Sequence, residues 1–240
     1  MRWLGGPFAA CPASAGQRIL MYHAIGTPIA DDTQGRYTLT LRAFTAQMER
    51  LAALGARVTR PGVLPDGVAI TFDDGYRDNL THAYPVLKRL GLPFTIFVTP
   101  GFVRSGDDSY LTGAQLHRLA EDPLISIGAH GDSHARLTGL SDQALRQELV
   151  SSKAWLEQVT GKPVTTMSYP HGAVDMRVRE AVRAAGFAAA CSSEFGINPS
   201  AQDPFLLRRT DIWSSDSLDT FNAKLAGDWD WMRFFTRVGL

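Results

Sequence analysis

An excess of charge of either sign is the first thing this sequence lacks. Lys and Arg number 24, Asp and Glu 24, and the formal net charge is zero. With no basic block and no basic-aromatic stripe, the chain lacks the electrostatic footprint of a nucleic-acid binder. Cysteine is nearly absent. Cys11 and Cys191 lie near opposite ends, have no partners at metal-ligand spacing, and read as free thiols, not a disulfide framework. No apolar run reaches the roughly 20 residues that cross a bilayer, so a transmembrane segment is not expected. At the start, Gly5-Gly6-Pro7 interrupts the apolar residues before a signal-like core develops, and Phe8-Ala9-Ala10-Cys11 only faintly resembles a lipoprotein box. A cytoplasmic location is the expectation. Internal repeats and low-complexity linkers are also missing.

What is present is a sizeable core: 240 residues, 45% hydrophobic and 20% charged, enough for one α/β domain. Short apolar runs alternate with helical patterns, as in βα units around a parallel sheet. Strands are predicted at Arg18–His23, Val68–Phe72, Phe94–Val98, Ile125–Ala129 and Thr165–Tyr169, with others near Ala188 and Leu206. Helices are predicted from the spacing of Leu41, Phe44, Met48 and Leu51, over Asn79–Leu90, over Leu111–Ala120, from a Ser141 cap through Val159, and over Met176–Ala185. A polar loop is expected from Pro100-Gly101 through Asp108.

The chemistry-bearing residues share a position, because each follows a predicted strand. Asp73-Asp74-Gly75 follows the second, His130 and His134 the fourth, and Pro170-His171-Gly172 the fifth. Parallel strands bring their C-terminal ends to one mouth, so distant residues can meet there. Asp-Gly alone is an ordinary turn signal. Two adjacent carboxylates at one site, however, repel unless a cation or proton compensates. Two histidines four apart are often surface coincidence, but joined to the Asp pair they form an Asp-His-His set with room for water, which a hydrolytic metal site needs.

Thr71-Phe72-Asp73-Asp74-Gly75-Tyr76, then His130-x-x-x-His134, then Tyr169-Pro170-His171-Gly172 resembles the polysaccharide deacetylase (NodB-homology) family, carbohydrate esterase family 4. The likeness runs in order from about Ile19 to Ile212. It implies a single distorted (β/α)7-type barrel: a flexible segment over 1–17, a deacetylase domain over 18–226, and an aromatic tail over 227–240 packing on it. It also implies that Asp73 is the catalytic base, while Asp74, His130 and His134 hold a divalent metal, zinc by preference, with cobalt or nickel also fitting.

A C-terminal Leu-x-His acid is absent, since no histidine follows His171. Leu20-Met21-Tyr22-His23 instead resembles the circularly shifted poly-N-acetylglucosamine deacetylases, making His23 the acid and leaving His171 as its competitor. Ser168 stands where the family's base-tethering arginine is common, so Arg209 is the replacement, with Arg208 as rival. Gly131 replaces a loop-bracing Ser or Thr, a role left to Ser133. Tyr76, Tyr169 and Trp213 are assigned to substrate contact, with core or rim packing as the alternative for Trp213. The implied activity is removal of acetyl groups from an N-acetylated glycan with release of acetate. An O-acetyl esterase, a non-haem iron oxygenase and a carbohydrate-binding protein with an inactive site are the alternatives.

Overall fold

The structure, a computed structural model, describes residues 16–29, 32–63 and 66–235. Seven parallel strands form its frame: β1 (Gln17–Tyr22), β2 (Gly67–Phe72), β3 (Phe94–Val98), β4 (Ile125–Ala129), β5 (Thr166–Ser168), β6 (Ala189–Cys191) and β7 (Thr210–Asp211). The first six lie side by side in that order, and β7 pairs with β1 through Leu20↔Thr210 and Met21↔Asp211. Leu207 bridges Cys191 of β6, so the sheet curls almost into a barrel, the α/β arrangement expected. One seam is loose: β4 and β5 share only the pair Ala129↔Met167.

Both faces of this sheet are covered, which is why its strands read as unbroken apolar runs. Leu20, Tyr22, Phe94, Ile96 and Val98 pack outward against helices. Ile19, Ala69, Phe97, Ala189, Cys191 and Leu207 point the other way and fill the lumen. Gly128 is required there: a Cβ at that position would lie 2.4 Å from Phe97 Cδ1.

Among the described residues seven α-helices surround the sheet: α1 (Leu41–Ala53), α2 (Tyr84–Leu90), α3 (Pro100–Ser105), α4 (Gly113–Glu121), α5 (Asp142–Thr160), α6 (Met176–Ala184) and α7 (Leu218–Ala226). The Ser141 hydroxyl accepts from Ala144 N–H and caps α5, a contact worth about 1 kcal/mol. The helix expected over Asn79–Leu90 is present, with Asn79–Ala83 as a π-helical first turn that runs into α2. One expectation needs correction: the loop expected after Pro100 begins with α3. Pro100 at the first position of α3 explains this, since its fixed φ and missing N–H suit a helix start.

Residues 1–15, and with them most of the expected flexible segment, lie outside the described residues, whereas Gln17 already belongs to β1. In the tail, Arg18 bonds Asp230 at 2.8 Å, while Phe234 and Phe235 are exposed. No helix of the described residues is long and apolar enough to cross a membrane.

Candidate metal centre

The C-terminal strand ends do bring the distant residues together. Asp73 N–H donates to Tyr22 O and His130 N–H donates to Val98 O, each extending a strand ladder by one residue. Beyond those points the chain turns sharply. Asp74 (φ 72), His134 (φ 64) and His171 (φ 58) are the non-glycine residues with left-handed backbones among the described residues. Each such conformation costs about 1–3 kcal/mol and persists only where the surroundings enforce it. All three sit at this mouth, and the rings of His134 and His171 are 4.5 Å apart.

Asp74 Oδ1 lies 3.5 Å from His130 Nε2 and 3.3 Å from His134 Nε2. Bonds of about 2.0–2.1 Å in a tetrahedral site would space ligand atoms about 3.4 Å apart, so the separations fit a shared ion. Asp74 Oδ1 is buried without a hydrogen-bond partner. His130 Nδ1–H donates to Ser168 O at 2.8 Å, which leaves an Nε2 lone pair facing that oxygen. Two acceptors confronted in a dry pocket repel each other unless a cation or proton intervenes.

Electrostatics mark the same place. Burial, then the neighbouring Asp73 charge, pushes the Asp74 carboxyl up to about 8. Asp73 behaves oppositely. Burial opposes its charge, but the Arg209 guanidinium, by its charge and its hydrogen bonds, outweighs that and holds it well below the carboxylate range. Burial also lowers His130, and burial together with His130 and His171 lowers His134 to about 3, so both imidazoles rest neutral, as metal ligands must be.

Arg209 grips Asp73 through both oxygens, Nη1–Oδ1 at 2.7 Å and Nη2–Oδ2 at 2.8 Å. Ser168 Oγ accepts from Arg209 Nη2 and donates to Asp73 Oδ2, so the small residue leaves room for this arginine. Arg208 instead pairs with Glu194. His23 is half-buried, 4.5 Å from the Tyr37 ring, and its Nδ1 is unpartnered. Burial lowers it to about 4, against the pull of Asp73. His171 is exposed, and its Nε2 lies 3.2 Å from His134 O.

The residues assigned to substrate contact are differently placed. Tyr169 is fully buried and its hydroxyl donates to Phe205 O, which removes it from any substrate face. Tyr76 is 4% exposed and stacks on Tyr110. Trp213 is half-buried, with Lys224 Nζ 4.1 Å and Arg36 Cζ 4.9 Å from its ring and Trp229 against its edge. Packing occupies Tyr76 and Tyr169, whereas Trp213 keeps part of its surface open.

Two supports escaped the sequence reading. Glu148 of α5 accepts from Asp132 N–H, Ser133 N–H and Ser133 Oγ, bracing the loop between the two histidines. Gly131 (φ 69) permits this, since a Cβ there would be 3.2 Å from Glu148 Oε2. Asp78 accepts from Ile25 and Thr27 N–H, and Asn79 donates to His23 O, fixing the turn that carries His23. An acidic residue on a helix face gives no periodic signal of such a role.

Residues 63–190 match the family model described as polysaccharide deacetylase. YxkH of Bacillus subtilis, assigned to the polysaccharide deacetylases, is 33% identical over 156 residues, covering 65% of this chain and 55% of that protein. The peptidoglycan-N-acetylglucosamine deacetylase PgdA of Listeria monocytogenes is 30% identical over 116 residues, 48% of this chain and 23% of that protein. The chain thus spans about half or less of the length of these curated relatives. Among solved structures, the Streptococcus pyogenes deacetylase PplD superposes with a TM-score of 0.79 at 22% identity, covering 88% of this chain and 98% of that one. IcaB from Ammonifex degensii gives 0.75 at 24%, covering 90% and 99%. At these identities the likeness is one of fold.

Proposed function

The chain belongs to the polysaccharide deacetylase family, and on that premise we propose that it removes acetyl groups from N-acetylated sugars of a glycan, releasing acetate. The observation that carries this reading is the meeting of Asp74 Oδ1 with the Nε2 atoms of His130 and His134 beside the tethered carboxylate of Asp73. The name of the Listeria relative supports the amide over the ester as the bond cleaved.

The donor set fits a divalent cation of the zinc class, because one carboxylate and two neutral imidazoles lie within 4.8 Å of one another. When bound, such an ion polarises the acetyl carbonyl and acidifies water. Asp73, kept ionised by Arg209, accepts the proton of the attacking water. The His171 backbone N–H donates to the oxygen that becomes negative, a contact of about 3 kcal/mol in a dry site.

His23 completes the reaction by protonating the departing amine, without which an amide does not leave readily. With burial holding it near 4, His23 rests neutral at pH 7 and takes up its proton during turnover. The Asp73 charge favours that uptake against burial, and the proton that Asp73 takes from water balances the one His23 delivers to the amine. His171, exposed and directed at a backbone oxygen, is the weaker candidate.

Acetate release from N-acetylglucosamine oligomers and from acetylated xylan, with and without chelator, tests the proposal. Chelator-sensitive release from the amide substrate is expected. Release from the xylan alone would make the enzyme an O-acetyl esterase, and full activity of Asp73→Asn would remove the proposed base.

A further inference from the structure

Buried polar atoms without partners mark the metal cluster, and the same signature appears once more at the other end of the barrel. Among the described residues these atoms are His23 Nδ1, Asp74 Oδ1, Asn79 Oδ1, Asp211 Oδ1, Arg60 Nε and Thr95 Oγ1. The first four belong to the C-terminal mouth. Arg60 and Thr95 line a separate cavity of about 170 Å³ at the N-terminal ends of β3, β4 and β5. It opens where the seam between β4 and β5 is loosest, since these strands pair only at Ala129↔Met167 and separate below that point.

Residues 59–62 close the barrel floor beside it. Gln17 Nε2 donates to Thr59 Oγ1 and Arg60 O, and Gly62 N–H donates to Gln17 Oε1. A Cβ on Gly62 would lie against Leu207 and Ala189 of the lumen. Arg60 therefore leaves a fixed backbone and reaches across to donate to Pro123 O. Lys162 approaches from the end of α5 and donates to Ala120 O.

The lining adds hydroxyls from Thr95, Ser126, Thr160 and Thr166 to these two cations and includes no carboxylate. Among the described residues neither Arg60 nor Lys162 forms an ion pair. The space is large enough to hold several waters. Water can satisfy Arg60 Nε and Thr95 Oγ1, but it brings no negative charge to the two cations of the lining, Arg60 and the exposed Lys162. An oxyanion satisfies both needs, because it accepts from guanidinium and hydroxyl donors while neutralising the cations.

We propose that this floor cavity is a binding site for a small tetrahedral oxyanion of the phosphate class, held by Arg60, Lys162 and the Thr95 hydroxyl. The site is independent of the metal centre. Thr95 is fully buried and set in the sheet, so it acts as the fixed donor at the bottom of the cavity. Arg60 and Lys162 close over the anion from two separate segments of chain.

Calorimetric titration of inorganic phosphate into metal-free His134→Ala protein tests this, because phosphate held by a metal ion is thereby removed. One saturable site is expected. Arg60→Gln with Lys162→Gln should weaken it by at least about tenfold. Thr95→Val preserves shape and strand propensity and should weaken it less, which guards against a double variant that merely misfolds. The proposal is overturned if no saturable binding occurs, if sodium chloride at equal ionic strength gives the same heat, or if the double variant folds and binds phosphate as before.

Discussion

The guanidinium of Arg209 holds both carboxylate oxygens of Asp73, and the two side chains are 1% and 3% exposed. They are 136 residues apart in sequence, and the arginine comes from the segment that closes the sheet just before β7. This contact keeps a carboxylate ionised in a place where burial alone would neutralise it.

Removing the tether should therefore cost stability and activity together. Arg209→Met leaves a buried, unpaired charge, for which about 3–5 kcal/mol is expected. Urea unfolding and acetate release measure the two losses. The linkage has a definite sign: the folded pKa of Asp73 is depressed, so its contribution is complete above the unfolded value near 3.9 and fades as pH falls toward the folded value. Wild-type protein should lose this increment below about pH 4, and Arg209→Met should have little of it to lose.

Asp74 predicts the reverse dependence. Its folded pKa is raised to about 8, so its contribution in metal-free protein is complete below the unfolded value near 3.9 and is lost as pH rises toward 8. Metal-free wild type should become less stable between about pH 4 and 8, and Asp74→Asn should flatten that decline. Thermal melts in chelator across this range read the effect. With zinc present the order at pH 8 should invert, wild type being the more stable.

Glu148 should act through the loop it braces. Glu148→Ala removes the acceptor for Asp132 N–H, Ser133 N–H and Ser133 Oγ, so His130 and His134 lose their fixed spacing. Metal affinity should fall by about 10–100-fold, as for other outer-shell partners. Competition with a chromophoric chelator measures it, and saturating metal should restore most of kcat.

The two candidate acids separate kinetically. His23→Asn should lower kcat by about 10²–10⁴-fold with amide substrates. It should matter far less for an activated acetyl ester, whose leaving group needs no proton. His171→Ala should spare most of kcat for both, because its backbone N–H remains. Equal loss from both variants would give the imidazole of His171 a share in the chemistry.

Much of this was legible in the sequence, and the exceptions have physical causes. The strands were visible because both sheet faces are buried, giving apolar runs such as Phe94–Val98. The cluster was visible because parallel strands share a mouth. Arg209 was recognisable only by the missing arginine near Pro170, which Ser168 makes room for. Substrate contacts were the weak point: Tyr76 and Tyr169 follow strands, but a strand end does not reveal which way a ring turns, and both rings pack inward. The backbone reversals at Asp74, His134 and His171 were also hidden, because tertiary contacts, not residue type, enforce a left-handed φ.

Metal stoichiometry across four variants tests the central claim most directly. Wild type and Asp73→Asn should each bind one equivalent of zinc, Asp73→Asn without activity, while Asp74→Asn, His130→Ala and His134→Ala should each lose tight binding. Undiminished zinc binding by the last three would show that these side chains do not share one ion.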